Sequence, residues 1–168
     1  MHPLNSYVYF SNDNKSISEF THGDKLCLFI ENCYKDYTIL YYNAECNGKI
    51  SSEGILNGLN YMKSNGIKNI NISLSSKQYS TEIETWIKNN PNITVYASYN
   101  NAVNTYDYPA MYENVIGSTG IKNYLSLKEC DITYNSLYIF NFKNFQMYKE
   151  NSYLSLITMF EKNISTNQ

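Results

Sequence analysis

Side chains with hydroxyl and amide groups stand at the ends of two apolar stretches in the middle of the chain. Ser73-Leu74-Ser75 ends the stretch that starts at Lys68, and Ser98-Tyr99-Asn100 follows Ile93–Ala97. If both stretches are strands of a parallel sheet, their carboxyl ends lie at one edge, where α/β proteins hold their reacting groups. We therefore expect a functional site at this edge.

Two further residues are of types that take part in nucleophilic catalysis. His22 lies in Thr21-His22-Gly23-Asp24, whereas the other histidine, His2, lies at the start of the chain. Ser152 precedes the last helical pattern, and a helix N-terminus favours negative charge developing on a serine oxygen. Each has a plain structural alternative, because a His-Gly pair is common in loops and serine is a common helix N-cap.

A helix between the two apolar stretches would make them parallel strands. The segment 81–90 starts with a Thr81-x-x-Glu84 capping box and stops at Pro91. Its apolar residues repeat at i, i+3 and i+4, and they are Ile83, Trp86 and Ile87. A strand, a helix and a second strand form a right-handed βαβ unit with parallel strands. This predicts that Gly66 to Tyr112 is the unit around which the chain is organised.

The residues before this unit indicate more of the same alternation. Ser6–Phe10 is predicted as the first strand and Tyr37–Tyr42 as the next. Leu26–Ile30 fits either a strand or a buried helix, and we favour a helix because the chain must return before the next strand. A further helix opens at Ser51-Ser52, after an Asn47-Gly48 turn, and stops at Asn65-Gly66.

The pattern changes after the βαβ unit. Tyr124 to Tyr148 alternates in the manner of short antiparallel strands, and Asn151-Ser152 then caps a last helix. The apolar face of that helix is formed by Tyr153, Leu156, Ile157 and Phe160. The predicted fold is a three-layer α/β domain, with a mostly parallel sheet, helices on both faces and a small antiparallel excursion before the C-terminal helix. We interpret residues 1–168 as a single domain with a structured core of about 6–162.

Composition excludes several classes of function. The net charge of −2 offers no field for phosphates, so we predict no nucleic-acid partner despite the 18 tyrosines. The sequence has no G-x-G-x-x-G or G-K-[ST] loop, which counts against nucleotide binding. Four cysteines, Cys27, Cys33, Cys46 and Cys130, lack C-x-x-C pairing. They favour buried, reduced thiols in a cytoplasmic protein over disulfides or a metal site.

No export signal or membrane-spanning segment is visible in the sequence. We therefore predict a cytoplasmic protein without a membrane partner, and we predict neither a metal nor another cofactor.

The order of three motifs resembles the core of the subtilisin-like serine peptidases. These motifs are Ile-Asn-Ile-Ser-Leu at 70–74, Val-Tyr-Ala-Ser-Tyr-Asn at 95–100 and Tyr-Pro-Ala-Met-Tyr-Glu-Asn-Val-Ile-Gly at 108–117. The resemblance implies that Ser73, Leu74 and Ser75 line a substrate cleft. It also implies that Asn100 donates its side-chain amide to the oxyanion of a tetrahedral intermediate. The plain alternative for Asn100 is a turn asparagine in an asparagine-rich chain.

The resemblance extends to the catalytic residues and covers roughly Val8 to Phe160. His22 matches the family's catalytic histidine in a His-Gly-Thr pattern, and Ser152 matches the nucleophile before the C-terminal helix. Asp24 replaces the threonine of the first pattern. In the second pattern, Glu150 replaces a glycine and Leu154 replaces a small residue.

Three further departures concern the triad aspartate and two glycines. The acid nearest to the first strand is Asp13, two residues later than Ser11, where the family's aspartate is expected. Ser75 and Tyr99 each replace a glycine of the cleft. We expect the Tyr99 side chain to project toward the substrate, so that Tyr99→Gly would widen the range of accepted side chains.

These residues favour a compact subtilisin-like serine endopeptidase that acts on a specific peptide or leader segment. Loss of the triad aspartate would impair such an enzyme. The alternative is a non-catalytic pseudopeptidase that binds a peptide by strand addition or regulates a partner enzyme.

Overall fold

The computed structural model describes residues 21–34, 39–102, 106–121, 127–135, 138–141 and 146–165. The chain separates into two units, Met1–Ile67 and Lys68–Gln168, and each is described by itself. The single-domain interpretation stays a prediction. The predicted strand Ser6–Phe10, with Ser11 and Asp13 after it, lies outside the described residues.

The first unit contains helix α1 (His22–Cys33), which confirms the helix predicted over Leu26–Ile30. Thr21 is its N-cap and accepts a hydrogen bond from the Asp24 backbone N–H (3.2 Å). The Asp24 carboxylate in turn accepts from the Thr21 backbone N–H (2.8 Å), which completes a capping box. Asp24 therefore has a structural role in starting the helix.

A short hairpin and a second helix follow in the same unit. Strands β1 (Glu45–Cys46) and β2 (Lys49–Ile50) pair antiparallel, and Asn47-Gly48 turns between them with φ angles of 53° and 74°. Helix α2 (Ser52–Ser64) has Ser51 as its N-cap, and it ends where Gly66 adopts a φ of 75°. The predicted turn and helix are confirmed.

The strand predicted at Tyr37–Tyr42 does not form over the residues that can be described. Residues 39–44 have no strand, and only Leu40 makes a single bridge. Residues 35–38 lie outside the described part of the chain. An aromatic and β-branched run is favourable for a strand, but this local preference alone does not form one, because tertiary context decides.

The second unit contains a four-stranded parallel sheet in the order β3-β4-β5-β6. Its strands are β3 (Asn69–Ile72), β4 (Thr94–Ser98), β5 (Val115–Thr119) and β6 (Ile132–Thr133). The predicted parallel pairing of the two apolar stretches is confirmed, with Ile70 opposite Val95. In the described residues the fold is thus α/β, with the sheet flanked by helices.

The predicted antiparallel segment 124–148 is correct only in part. Strands β7 (Tyr138–Asn141) and β8 (Gln146–Lys149) form an antiparallel pair, as expected. β6 lies in the same segment, but it joins the main sheet as a parallel neighbour of β5. A two-residue strand is too short to show the periodicity from which a strand could be predicted.

Helix α3 (Thr81–Lys88) connects β3 to β4, as predicted, but its first turn differs from the prediction. The N-cap is Ser80, whose hydroxyl accepts from the Ile83 backbone N–H (3.4 Å). Glu84, predicted as the partner in a capping box starting one residue later, instead accepts from the Tyr79 hydroxyl (2.5 Å). Ile83 lies in the core, as its spacing predicts.

Helix α4 (Asn151–Ser165) packs against the parallel sheet. Ser118 of β5 and Thr158 of α4 share a buried hydrogen bond between their hydroxyl groups (2.7 Å). Since side chains alternate along a strand, Gly117 and Val115 face away from α4. No described helix is long and apolar enough to span a membrane, and the described residues contain no cluster of three or more metal-ligating side chains.

The four cysteines are free thiols and differ in exposure. Cys27 is buried, as predicted, but the prediction is wrong for Cys46 and Cys130, which are exposed. Burial, together with the negative charges of Glu31 and Asp24, raises the pKa of Cys27 from 9.0 to about 12.

The cysteines should therefore react at very different rates. Since burial keeps the Cys27 sulfur protonated and out of reach of the reagent, alkylation should modify the exposed Cys46 and Cys130 first. Timed iodoacetamide labelling with mass spectrometry measures these rates, and the urea-unfolded chain, in which all four should react alike, is the control. Equal rates for Cys27 and Cys46 in the folded protein would contradict the burial of Cys27.

Candidate functional site

Three of the predicted site residues lie together at the carboxyl ends of β3 and β4, beside the N-terminus of α4. The Ser73 hydroxyl donates to the Ser152 carbonyl oxygen (3.2 Å). The Asn151 side-chain amide donates to the Asn100 carbonyl oxygen (2.8 Å). Ser73 and Asn100 lie at one edge of the sheet, as their positions after the strands predict, and the start of α4 brings Ser152 to the same edge.

Asn151 holds this edge together. Its side-chain oxygen accepts from the Gly120 backbone N–H (2.8 Å), and its amide also donates to the Thr119 hydroxyl (3.3 Å). Its backbone N–H donates to the side-chain oxygen of Asn101 (2.8 Å). Asn151 is only 1% exposed, so these bonds are shielded from water. The residue therefore connects β4, β5 and α4 immediately before Ser152.

The backbone and side chain of Asn100 are both held. Its backbone N–H donates to the carboxylate of Asp107 (3.0 Å), which is fully buried. Its side-chain oxygen accepts from the Ala102 backbone N–H (2.9 Å) in an Asx turn. Since this bond fixes the amide oxygen, the NH₂ group lies on the opposite edge of the amide. A side-chain NH₂ group is the kind of donor that an oxyanion site needs.

The hydroxyl of Ser73 is oriented by two neighbours. It accepts a short hydrogen bond from the Asn71 side-chain amide (2.5 Å) while it donates to Ser152. In the described residues the Asn71 side-chain oxygen is buried and has no hydrogen-bond partner. Leu74 and Ser75, the other predicted cleft residues after β3, are half-buried.

Tyr99 does not lie where the sequence predicts. Its side chain is 1% exposed, and its hydroxyl donates to the Asp131 carboxylate (2.6 Å). Space for the ring exists because Gly117 has no side chain: a Cβ there would collide with a carbon of the ring. Tyr99 therefore lies inside the second unit, and in this position its ring cannot form the wall of a substrate cleft.

Asp131 is the centre of a buried polar cluster that sequence reasoning missed. Its carboxylate, in a side chain 1% exposed, accepts from the backbone N–H groups of Gly117 and Lys128, each at 2.8 Å. The Lys128 ammonium lies 3.1 Å from the same carboxylate and also donates to the Ala110 carbonyl oxygen. Burial and the bond to Asp131 raise the pKa of Tyr99, which keeps its hydroxyl protonated as a donor.

The remaining predicted catalytic residues belong to the first unit. His22 is the exposed first residue of α1, directly after the Thr21 cap. Asp13 lies outside the described residues. The catalytic roles of His22 and Asp13 stay predictions from the sequence.

No protein-family model matches this sequence. A comparison with curated proteins also finds no match. Function is therefore inferred from the residues of the site and their geometry.

Proposed function

We propose that this chain is a compact subtilisin-like serine endopeptidase that acts on a specific peptide segment, such as a leader. The observation that carries the proposal is the link between Asn100 and the start of α4 through the buried side chain of Asn151. This link ties the residue of the candidate oxyanion donor to the residue that precedes the candidate nucleophile, Ser152. The proposal includes a cytoplasmic location, because the cysteine pattern is typical of a reducing compartment.

In this proposal the Ser152 oxygen attacks the carbonyl carbon of the scissile peptide bond. Its proton passes to a general base, which then delivers it to the leaving amine as the C–N bond breaks. Water hydrolyses the resulting ester by the same steps. The amide of Asn100 and the N-terminus of α4 stabilise the negative charge on the intermediate.

The substrate peptide would lie along Ser73, Leu74 and Ser75. These residues continue β3, which is the first strand in the order β3-β4-β5-β6. An extended peptide can pair with such a strand through main-chain hydrogen bonds. The Ser73 hydroxyl, held by Ser152, would then lie at the junction between the bound peptide and the nucleophile.

A fluorophosphonate probe tests the proposal on the full chain. An activated serine oxygen displaces fluoride from phosphorus and becomes covalently labelled, whereas an ordinary serine stays unmodified. We expect labelling of the wild type at Ser152 and none of Ser152→Ala, measured by peptide mass spectrometry. The matched control is Ser155→Ala in the same helix, since Ser155 is buried and donates to the Ser152 carbonyl oxygen; it should keep the label.

Two other outcomes lead to different conclusions. Equal labelling of wild type and Ser152→Ala would exclude Ser152 as the nucleophile. A folded wild type without any label would exclude the peptidase. That protein could still bind extended peptides and lose this binding when Ser73 is replaced by a bulky residue. In that case the non-catalytic pseudopeptidase would replace the proposal.

A further inference from the structure

We propose that Tyr99 is a positioning residue, whose bond to the buried Asp131 carboxylate fixes the carboxyl end of β4 and thereby the place of Asn100. This inference rests on the proposed function, in which Asn100 donates to the oxyanion. It assigns to Tyr99 a role that differs from the substrate contact predicted from the sequence.

Tyr99 is held at both of its polar ends. Its backbone N–H donates to the Ser118 carbonyl oxygen (3.1 Å), which extends the pairing of β4 with β5 by one residue. Its hydroxyl donates to Asp131 at 2.6 Å. Because Asn100 is the next residue, its Cα is tied by the chain to a residue that has little freedom to move.

Asp131 is itself firmly held, so it can serve as an anchor. One of its donors is the backbone N–H of Gly117, which lies inside β5. The ammonium of Lys128 offsets the negative charge and lies 5.9 Å from the centre of the Tyr99 ring. A buried carboxylate with this set of donors is fully satisfied, and such networks rigidify their surroundings.

Asn100 also has contacts that do not depend on Tyr99. Its N–H binds Asp107, and its carbonyl oxygen binds Asn151. Removal of the Tyr99 hydroxyl alone should therefore leave the fold intact and loosen the end of β4. An error of about 1 Å in the place of a catalytic group can cost roughly 100-fold in rate, so we expect a partial loosening to cost about tenfold.

Hydrogen exchange in the full chain tests the anchor without any need for activity. In Tyr99→Phe, amide exchange in a peptide covering 98–102 should become about tenfold faster, because a hydrogen bond to a charged group is lost. The matched control is Tyr112→Phe, which removes a buried hydroxyl bonded to the backbone of Ser80. That variant should speed exchange near 80 and leave 98–102 unchanged. Unchanged exchange at 98–102 in Tyr99→Phe would overturn the inference.

The rate of fluorophosphonate labelling tests whether the anchor acts through Asn100. Tyr99→Phe should slow labelling about tenfold when Asn100 is present, and less than about twofold in an Asn100→Ala background. If Tyr99→Phe acted only by damaging the structure, it would slow labelling equally in the presence of Asn100 and in the Asn100→Ala background. This result would overturn the positioning role. An unlabelled wild type would refute the proposed function, whereas the exchange experiment would still decide whether Tyr99 holds the end of β4.

Discussion

Replacement of Asp131 by alanine is expected to lower the free energy of unfolding by about 3–5 kcal/mol. The substitution leaves the Tyr99 hydroxyl and the backbone N–H groups of Gly117 and Lys128 without their acceptor inside the protein. Each buried donor that loses its partner costs about 1–3 kcal/mol, and the Lys128 ammonium loses its counter-charge. Urea unfolding of the full chain, followed by circular dichroism, measures the loss.

Two control variants test whether the loss of stability comes from removing the Asp131 carboxylate. Asp131→Asn keeps the shape and one acceptor oxygen, so it should cost about 2 kcal/mol, less than alanine. Glu113→Ala removes an exposed acid from the same unit and should change stability by less than about 0.5 kcal/mol. If Asp131→Ala behaved like Glu113→Ala, the buried cluster would contribute nothing to stability.

Asn151→Ala should lower the free energy of unfolding by about 3 kcal/mol. The loss arises because the Gly120 backbone N–H and the Asn100 carbonyl oxygen both lose the hydrogen bond that the buried Asn151 side chain gives them. If the proposed function holds, the variant should also slow fluorophosphonate labelling at Ser152, since Asn151 no longer links Asn100 to the start of α4. Urea unfolding and labelling kinetics measure the two effects on the same samples.

Asn151→Asp and Asn65→Ala serve as controls for this prediction. The aspartate keeps the oxygen that accepts from Gly120, but it places a second oxygen against the Asn100 carbonyl, so it should still destabilise. Asn65 is exposed and donates its amide to a backbone carbonyl at the end of α2, so its loss should cost less than about 1 kcal/mol. A stable Asn151→Asp would show that the donated bond to Asn100 is unimportant.

The elements that could be predicted are those encoded by local patterns. The helix over Leu26–Ile30 and the parallel strands on either side of α3 follow from residues close together in sequence. The place of Ser73 and Asn100 at one edge of the sheet follows from the rule on strand ends, whereas Ser152 reaches that edge through the packing of α4. That part of the candidate site was therefore accessible from the sequence.

The parts that were missed depend on partners far apart in sequence. Asn151 binds residues 31 and 51 positions earlier, so nothing near it in the sequence distinguishes it from an ordinary helix-capping asparagine. Tyr99 was assigned to a cleft because a glycine was expected there, but its acceptor, Asp131, lies 32 positions later. Local patterns contain no information about whether such a distant acceptor exists.

Tyr99 and Gly117 occupy one shared volume, and this makes their evolution interdependent. The Tyr99 ring fills the space in which a Cβ of residue 117 would lie, so alanine at 117 collides with the ring and with the Asp131 carboxylate. Glycine at 99 would instead leave that space empty. Each single exchange should be harmful, while a side chain at 117 would fill part of the space that glycine at 99 leaves. Substitutions at 99 and 117 should therefore show sign epistasis, and a sequence with glycine at 99 becomes free to vary at 117.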